Sequence, residues 1–223
     1  MMDRIKNWRS REAEKLRGMT LPQKLDYLFT YYKTWFAGGL VLLLFLGYVG
    51  DVIVQGRKET VLLGFFTNDE YNLFPAGKLR DDFAPRLDMD RMENVVFDDD
   101  LYIDLEGRAT DYTAASNGKI IAYMAVGELD FVVTTEAVYR HFAGQIPMRD
   151  LSGLLPEALY AELSPYIDSV TDGEGKNVPS GIELSQSRFV RDEDGDVGSY
   201  YLFVPYSAPH DENICTFIQY CFS

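Results

Sequence analysis

Side chains that commonly serve as nucleophiles, general bases or zinc ligands are scarce in this chain of 223 residues, which has two histidines and two cysteines. Tryptophan is equally rare, with two residues. Neither His141 nor His210 accompanies a Gly-x-Ser-x-Gly motif or a cysteine-nucleophile signature, so a serine- or cysteine-hydrolase mechanism is disfavoured. The histidines and cysteines also show no zinc-binding spacing. His141 is expected on a helix surface, and His210 is expected to cap a helix or to face solvent. We therefore predict a protein that is not an enzyme and needs no metal or cofactor.

The two cysteines lie in the final segment, DENICTFIQYCFS, where Ile214, Phe217 and Ile218 recur at helical spacing. Cys215 and Cys221 are six residues apart, which on a helix is about 240° of rotation. A disulfide between them is therefore disfavoured on geometric grounds. We predict that both thiols serve as apolar packing residues.

A calcium loop is also disfavoured, although acidic residues alternate in DEDGD. An EF-hand loop that begins at Asp192 requires Gly at its sixth position and Glu at its twelfth. Val197 and Phe203 occupy these positions. A β-hairpin turn centred on Asp194 and Gly195 accounts for residues 192–196 without a metal.

Positive charge is scarce beyond the first 34 residues. Residues 1–34 carry eight Lys or Arg and four acids, whereas residues 51–223 carry 13 basic and 31 acidic residues, for a net charge of −18. A domain this acidic is repelled by nucleic acid and by anionic lipid headgroups. Nucleic-acid binding is therefore excluded from the predicted functions.

The two differently charged parts flank an apolar run that is long enough to cross a bilayer. Residues 34–50 contain no charge, and three further apolar residues follow Asp51. At 1.5 Å per helical residue, the range 34–54 spans roughly 31 Å, about the thickness of a hydrocarbon core. We predict a transmembrane signal anchor at 34–54, with Tyr31, Tyr32 and Trp35 at its near interface. A buried core helix and a cleaved signal peptide are the alternatives, but the charge imbalance and the long preceding region disfavour them.

The positive-inside rule gives this anchor an orientation. The basic residues 1–33 are expected in the cytoplasm and residues 55–223 outside it, so the protein is expected at the cell membrane with a single pass. Within the cytoplasmic tail, Thr20 and Gln23 form a capping box for a helix over 20–33. That helix either rests on the membrane as an amphipathic element or continues the transmembrane helix.

Strands and helices alternate in the outer domain, which predicts an α/β fold with one mixed sheet and flanking helices. The expected elements are a strand at 59–68 that is covered on both faces, a helix at 73–89, a strand at 94–105 with Asp98–Asp100 as a turn or bulge, a helix at 117–129, a strand at 130–135, helices at 136–144 and 154–166, a loop at 168–181, strands at 182–190 and 199–206 joined by a hairpin turn at 191–198, and a helix from about His210. The helix at 117–129 is expected to bury Ile120, Ile121, Met124 and Ala125 on one side and to have Gly127 near its C-cap.

Ligands in α/β folds bind at the carboxyl ends of strands. Two predicted strands end in polar residues, the first at Thr67 and Asn68 and the second at Thr134, Thr135 and Glu136. We predict these five residues as a ligand site. The alternative for Thr135 is that its hydroxyl caps the following helix.

The range 117–155, NGKIIAYMAVGELDFVVTTEAVYRHFAGQIPMRDLSGLL, and the tail YLFVPYSAPHDENICTFIQYC resemble extracytoplasmic solute-binding proteins of ABC importers, of the type II periplasmic-binding class. The resemblance consists of a helix, a Gly-x-x-Asp turn, an apolar strand, a short helix and a Gly…Asp-Leu…Leu segment. It implies a ligand-binding lobe outside the membrane. Such proteins usually have two lobes and a lipid anchor or none, whereas this chain has room for one lobe and carries a transmembrane helix.

The sequence is compatible with three functions. The first is a non-catalytic module that binds a small molecule or peptide. The second is a structural or regulatory subunit of a membrane complex in the cell envelope, acting through protein contacts; the small residues of FAGGL (36–40) suit helix packing. The third is a hydrolase of cell-wall or carbohydrate material, which would need an acidic pair in a cleft.

Overall fold

The structure is a computed structural model that describes residues 19–107, 110–171, 175, 177–190 and 199–223. For residues 24–29, 31–32, 35–36 and 55 it describes the backbone alone. The expected hairpin turn at 191–198, the acidic turn at 192–196 and the aromatic side chains of the predicted membrane interface therefore lie outside the described part.

The described residues of the first unit contain one long helix, α1 (Leu21–Gln55). Thr20 and Gln23 form the expected capping box at its start, in which the backbone N–H of Thr20 donates to the Gln23 side chain at 3.0 Å. Because the helix runs without interruption, the segment at 20–33 continues the apolar helix rather than forming a separate element. Its stretch Ala37–Val54 is 18 residues long, is apolar enough to cross a membrane, and contains no buried residue.

The chain divides between Arg57 and Lys58, and the second unit is a domain of six strands and six α-helices among the described residues. In chain order its elements are β1 (Glu59–Thr67), α2 (Ala76–Phe83), β2 (Glu93–Leu101), α3 (Asp111–Val126), β3 (Phe131–Thr135), α4 (Glu136–Ala143), α5 (Leu151–Leu154), α6 (Glu157–Leu163), β4 (Ile167–Thr171), β5 (Asn177–Glu183), β6 (Tyr200–Phe203) and α7 (Asp211–Cys221). Short 3₁₀ turns follow α2 at Ala84–Arg86 and α6 at Ser164–Tyr166.

The six strands form one mixed sheet in the order β2-β1-β3-β6-β5-β4. Strand β1 pairs in parallel with β2 and with β3, whereas β6 runs antiparallel to both β3 and β5, and β4 runs antiparallel to β5. The predicted fold class, α/β with one mixed sheet and flanking helices, is confirmed for this unit.

Helices cover both faces of the sheet, which is why β1 is apolar on both sides. Leu62 and Phe66 pack on one face in a cluster with α2, α5, α6 and α7. Leu63 and Phe65 pack on the other face with α3 and α4. The continuous apolar run at 59–68 was therefore correctly interpreted as a central strand.

Several predicted boundaries were wrong for local reasons. The helix expected at 73–89 is reduced to α2 and a 3₁₀ turn, because Pro75 lies at its N-cap and Pro85 interrupts it. The helix expected at 154–166 begins only at Glu157, because Pro156 is its N-cap, and it ends in the 3₁₀ turn; α5 is a separate short helix before it. Helix α3 begins at Asp111, six residues earlier than predicted, because Thr110 caps its first turn.

The buried face of α3 also differs from the prediction. Ile120 and Met124 are buried as expected, together with Ser116, but Ile121 is 44% exposed. The helix therefore packs through the row Ser116, Ile120 and Met124, together with the partly buried Tyr123. Gly127 ends it in the left-handed conformation, as predicted.

The loop predicted at 168–181 was wrong, since most of it forms the hairpin β4–β5. The strand expected at 182–190 is present only as the last two residues of β5, Ile182 and Glu183, which pair with β6. The loop was predicted because β4 contains polar residues. These residues suit an edge strand, which has one side that faces solvent. The bulge predicted at Asp98–Asp100 is confirmed, since the register between β1 and β2 gains one residue there.

Candidate functional site

The order in which the chain adds parallel strands to the sheet reverses between β1 and β3. The chain crosses from β1 to β2 on one side and then to β3 on the other side of β1, all three strands being parallel. The carboxyl ends of β1 and β3 therefore flank a topological switch point, the position where open α/β sheets bind ligands. All five predicted site residues lie at this edge of the sheet.

Thr67 and Thr134 meet at the switch point, where the Thr67 hydroxyl donates to the Thr134 hydroxyl at 2.6 Å. Both residues are completely buried. The two hydroxyls satisfy each other beneath the surface, so a ligand could reach them only if neighbouring groups moved.

Asn68 closes the crevice above this pair. Its backbone is in the left-handed region, with φ of 56°, a conformation that Asn tolerates well. Its side chain accepts from the Ile103 backbone N–H and donates to the Ile103 carbonyl, both at 2.8 Å. The Tyr200 hydroxyl donates to the Asn68 carbonyl at 3.2 Å. Asn68 thus joins β1 to the segment after β2 and to β6.

Thr135 and Glu136 lie at the junction of β3 and α4 rather than in the crevice. Thr135 is the N-cap residue, as predicted, but its side chain makes no capping hydrogen bond. The Glu136 backbone N–H donates to Ser199, and its exposed side chain lies 3.5 Å from Arg140. The structure therefore brings three of the five predicted residues together and places the other two beside them; ligand binding by them stays a prediction.

A cavity of 380 Å³ opens next to this edge, beside the loop that joins β1 to α2. Its walls come from three separate segments: the loop with the first turns of α2, residues 188–189, and the end of α7. The lining residues are Tyr71, Asn72, Leu73, Pro75, Lys78, Leu79, Asp82, Arg188, Phe189 and Tyr220. A volume of this size is within the range of small-molecule pockets.

The loop that forms one wall is held in place by two carboxylates. Asp69 accepts the backbone N–H groups of Leu73 and Phe74 at 2.9 and 2.7 Å. Asp99, from the bulge of β2, accepts the N–H of Ala76 at the start of α2 at 2.8 Å. The wall is preorganised, and these backbone donors are already used.

Two basic side chains, Lys78 and Arg188, line the cavity. Within the described parts of the chain, neither has a carboxylate at ion-pair distance. The Arg188 guanidinium lies over the ring of Tyr220, 4.3 Å from its centroid, and that of Arg86 lies 4.7 Å from the same centroid. Asp82 is the one acidic lining residue, so the lining carries a formal charge of +1.

Tyr220 forms the apolar floor of this cavity and is 3% exposed. Burial raises the pKa of its hydroxyl, and Asp82 acts in the same direction, while Arg188 and Arg86 lower the pKa. The hydroxyl is therefore neutral at physiological pH. The Phe189 ring packs against the Tyr220 ring, with 5.8 Å between the ring centroids, and connects the floor of the cavity to the core.

A second polar centre, Asp130 with His210, lies at the opposite edge of the sheet. Asp130 is completely buried and accepts the backbone N–H groups of Leu63 and His210 at 2.7 and 3.1 Å. Its carboxylate also contacts the His210 Nδ1 atom at 3.0 Å. Burial raises the pKa of Asp130, although the hydrogen bonds from Leu63 and His210 oppose this effect. The arrangement fastens the start of α7 to β1 and β3.

His210 is the N-cap residue of α7, in agreement with one of the two expectations, but its side chain contacts Asp130 and makes no capping hydrogen bond. His141 is exposed on α4, in agreement with the prediction. Cys221 is buried in the core as predicted, whereas Cys215 is half-buried and donates to the Leu154 carbonyl; both thiols are free. Across the described residues, no group of three or more His, Cys, Asp or Glu side chains could hold a metal ion.

Sequence reasoning missed the cavity because Lys78, Arg188 and Tyr220 are far apart in the chain and have no common spacing. The Gly-x-x-Asp turn was the one available signal for Asp130, since it places a carboxylate directly before a buried strand. Comparison of the chain with known protein families, curated proteins and solved structures gives no match, so its function is inferred from this geometry alone.

Proposed function

We propose that this protein is a membrane-anchored recognition protein whose outer domain, residues 55–223, binds a small molecule or peptide without chemical conversion. The observation that carries the proposal is the cavity at the carboxyl edge of the sheet. Its walls are preorganised by Asp69 and Asp99, and two basic side chains in it lack ion-pair partners among the described residues. A set of convergent polar groups over an apolar floor is the usual composition of a ligand pocket.

The anchor in this proposal is residues 34–54. Its support is the stretch Ala37–Val54 within one continuous helix, since a predominantly apolar stretch of 18 residues without a buried residue has no favourable environment in water. The basic residues 1–33 support an orientation with that segment in the cytoplasm. The recognition domain would then face outwards from the cell membrane.

A relation to solute-binding proteins is part of the same proposal. It is supported by the way in which 117–155 folds, as α3, a turn at Gly127, β3, α4 and α5. The described residues of the second unit, Lys58–Ser223, form one compact lobe with one mixed sheet.

A tryptophan that fills the cavity tests ligand binding without reference to ligand charge. Asp82 lines the cavity, whereas Asp81, its neighbour on α2, does not and is exposed. Asp82→Trp should abolish binding, and Asp81→Trp should leave it unchanged. Thermal shifts of the full chain in lipid nanodiscs would be measured across amino acids, short peptides, sugars and organic acids.

The expected result is a shift with at least one compound class that Asp82→Trp removes and Asp81→Trp retains. If no compound stabilises the wild-type chain, or if both variants respond like the wild type, the carboxyl-edge cavity is not the recognition site.

A second candidate function, a subunit of a cell-envelope membrane complex, is favoured by an exposed apolar surface at the opposite edge of the sheet. A cavity of 290 Å³ there is lined by Ile121, Met124, Ala125, Ile146, Pro147, Pro205, Tyr206 and Ser207. Tyr206 is 64% exposed, and Val126, which follows the lining residue Ala125 in the chain, is 67% exposed. Exposed apolar side chains grouped in this way often mark protein contacts.

Photocrosslinking would distinguish this function. A photoreactive residue at Val126 should capture a defined membrane protein in intact cells, while the same residue at Ala115, at the start of the same helix, should not. Equal capture at both positions, or capture of this chain alone, would argue against a complex formed through this surface.

A further inference from the structure

We infer that the carboxyl-edge cavity takes a ligand with one anionic head group, a carboxylate or a phosphate, on an apolar body. The inference rests on the proposed function, since it names the class of ligand for the same cavity. It follows from the charges, the stacking and the backbone hydrogen bonds around the cavity.

Two cations of the cavity lining belong to the described basic side chains that form no ion pair. Four of the nine described Lys and Arg side chains in residues 58–223 are paired with an acid. The paired ones are Arg80 with Asp81, Lys119 with Asp98, Arg140 with Asp168, and Arg149 with Asp211. Lys78 and Arg188 have no such partner among the described residues, although acids outnumber bases by 31 to 13 in residues 51–223. Two unpaired cations that line one cavity produce a local positive potential in an otherwise negative domain.

Arg188 is held in an orientation that suits an anionic head group. Its guanidinium lies over the Tyr220 ring, and a guanidinium that stacks in this way keeps its in-plane N–H donors available. Those donors match a carboxylate or phosphate through two parallel hydrogen bonds. Lys78 then supplies a second charge from α2.

Three backbone N–H groups beside the cavity are unavailable to an anion. Asp69 accepts those of Leu73 and Phe74, and Asp99 accepts that of Ala76. We therefore assign recognition of the charge to the side chains of Lys78 and Arg188. Because Asp82 reduces the lining charge to +1, a singly charged group fits better than a doubly charged one.

The rest of the lining selects the body of the ligand. Leu73, Pro75, Leu79, Phe189 and the ring of Tyr220 contribute apolar surface, while polar atoms make up the larger part of the accessible lining, Asn72 and Tyr71 being among the residues that supply them. The cavity volume of 380 Å³ accommodates a single ring with a short side chain. An aromatic or branched organic acid satisfies both parts.

Four compounds of similar size test the inference with the full chain in lipid nanodiscs, by isothermal titration calorimetry. Benzoate and phenyl phosphate carry the anion, benzyl alcohol is neutral, and benzylamine is a cation. Benzoate should bind most tightly, with a Kd on the order of 1 mM for so small a compound. Phenyl phosphate should follow, and the cation should not bind.

Charge-removing variants assign the binding to the cavity. Arg188→Gln and Lys78→Gln should each weaken benzoate binding by about 10-fold, because each removes a charge-assisted contact. Asp82→Asn should strengthen phenyl phosphate binding. Arg91→Gln is the matched control: Arg91 is exposed and precedes β2, at the other edge of the sheet, so its loss should change nothing.

The two anions separate a carboxylate from a phosphate as the preferred head group. The anion inference is overturned if benzyl alcohol binds as tightly as benzoate, or if Arg188→Gln and Lys78→Gln leave the affinity for benzoate unchanged. In either case the cavity stays a ligand site if Asp82→Trp blocks binding. If none of the four compounds binds, the anion inference fails too, and the tryptophan test with the wider panel decides separately whether the cavity recognises a ligand.

Discussion

Gly64 shows how one residue can fix the packing of a sheet. A Cβ atom at this position would lie 2.2 Å from the Phe131 ring, which stacks on Phe217 with centroids 4.3 Å apart. Phe66 and Phe97 pack edge-on against the same ring. The ring therefore has no free space to move into, and β1 needs a residue without a side chain at its centre.

Gly64→Ala should lower the free energy of unfolding by about 2 kcal/mol, because the Phe131 ring must be displaced within a packed core. Gly77→Ala is the control, since a Cβ at Gly77 meets no atom within 4 Å and should stabilise α2 by about 0.5 kcal/mol. Urea unfolding of both variants measures these changes. Equal effects of the two alanines would contradict the packing described for β1.

Asp130 gives a prediction with a definite dependence on pH. Asp130→Asn should destabilise the domain by about 2 kcal/mol, because an amide cannot accept all the hydrogen bonds that converge on the carboxylate. Since burial raises the pKa of Asp130 above its ordinary value of 3.8, the ionised carboxylate costs the folded state free energy. The advantage of the wild type over Asp130→Asn should therefore shrink as pH rises from 3.8 through the raised pKa.

Urea unfolding between pH 4 and 8 (roughly the range in which a raised carboxyl pKa acts) measures this difference. Glu128→Gln, which alters an exposed acid two residues away, should show no such trend. An advantage that grows with pH would mean that the pKa of Asp130 is lowered instead.

At the scale of elements, α4 is tied to the edge hairpin by one cluster of side chains. The Tyr139 hydroxyl donates to Asp168 on β4 at 3.0 Å, and Arg140 donates to both carboxylate oxygens of the same residue. A Cβ atom at Gly181 would lie 2.5 Å from the Tyr139 ring, so this ring packs directly on the β5 backbone. Burial raises the pKa of its hydroxyl, which stays protonated as a donor.

Asp168→Asn should loosen β4 more than it destabilises the whole domain. Arg140 is 44% exposed, so solvent screens its charge and the ion pair contributes less than about 1 kcal/mol to unfolding. Hydrogen exchange of the backbone in Ile167–Thr171 should nevertheless become faster, because the edge strand loses its link to α4. Mass spectrometry of exchanged peptides would detect this change.

Glu136→Gln is the control for the hairpin, because its contact with Arg140 is long, at 3.5 Å, and exposed. It should leave exchange in β4 unchanged. Exchange that accelerates uniformly across the sheet in Asp168→Asn would show a global loss of stability rather than a local link.

For the whole molecule, the decisive property is whether α1 enters a bilayer. Leu43→Lys combined with Leu44→Lys places two charges at the centre of 34–54, at a cost of about 3 kcal/mol for each charge. The double variant should be lost from carbonate-washed membranes, as judged by immunoblotting. Leu21→Lys, at the first residue of α1 and outside the predicted anchor, should stay in the membrane.

Protease added to intact cells should digest the outer domain of the wild-type chain and leave residues 1–33 protected. Retention of the double lysine variant in washed membranes, or protection of the outer domain, would refute the anchor or its orientation.

The sequence by itself determined the features that depend on neighbouring residues. The apolar run of β1, the left-handed stop at Gly127 and the succession of β3 and α4 follow from local burial and backbone conformation, so they were predicted correctly. The carboxyl-edge position of Thr67, Asn68 and Thr134 also followed, because parallel strands end at one edge.

Tertiary structure alone decided the remainder. The polar segments around Asp168 became strands because β6 and α4 supply partners that are distant in sequence. Thr67 and Thr134 became buried partners of each other, and Lys78, Arg188 and Tyr220 came to line one cavity, for the same reason. Such contacts arise from long-range packing, whose free energy depends on residues far apart in the chain and leaves no periodic signal in it.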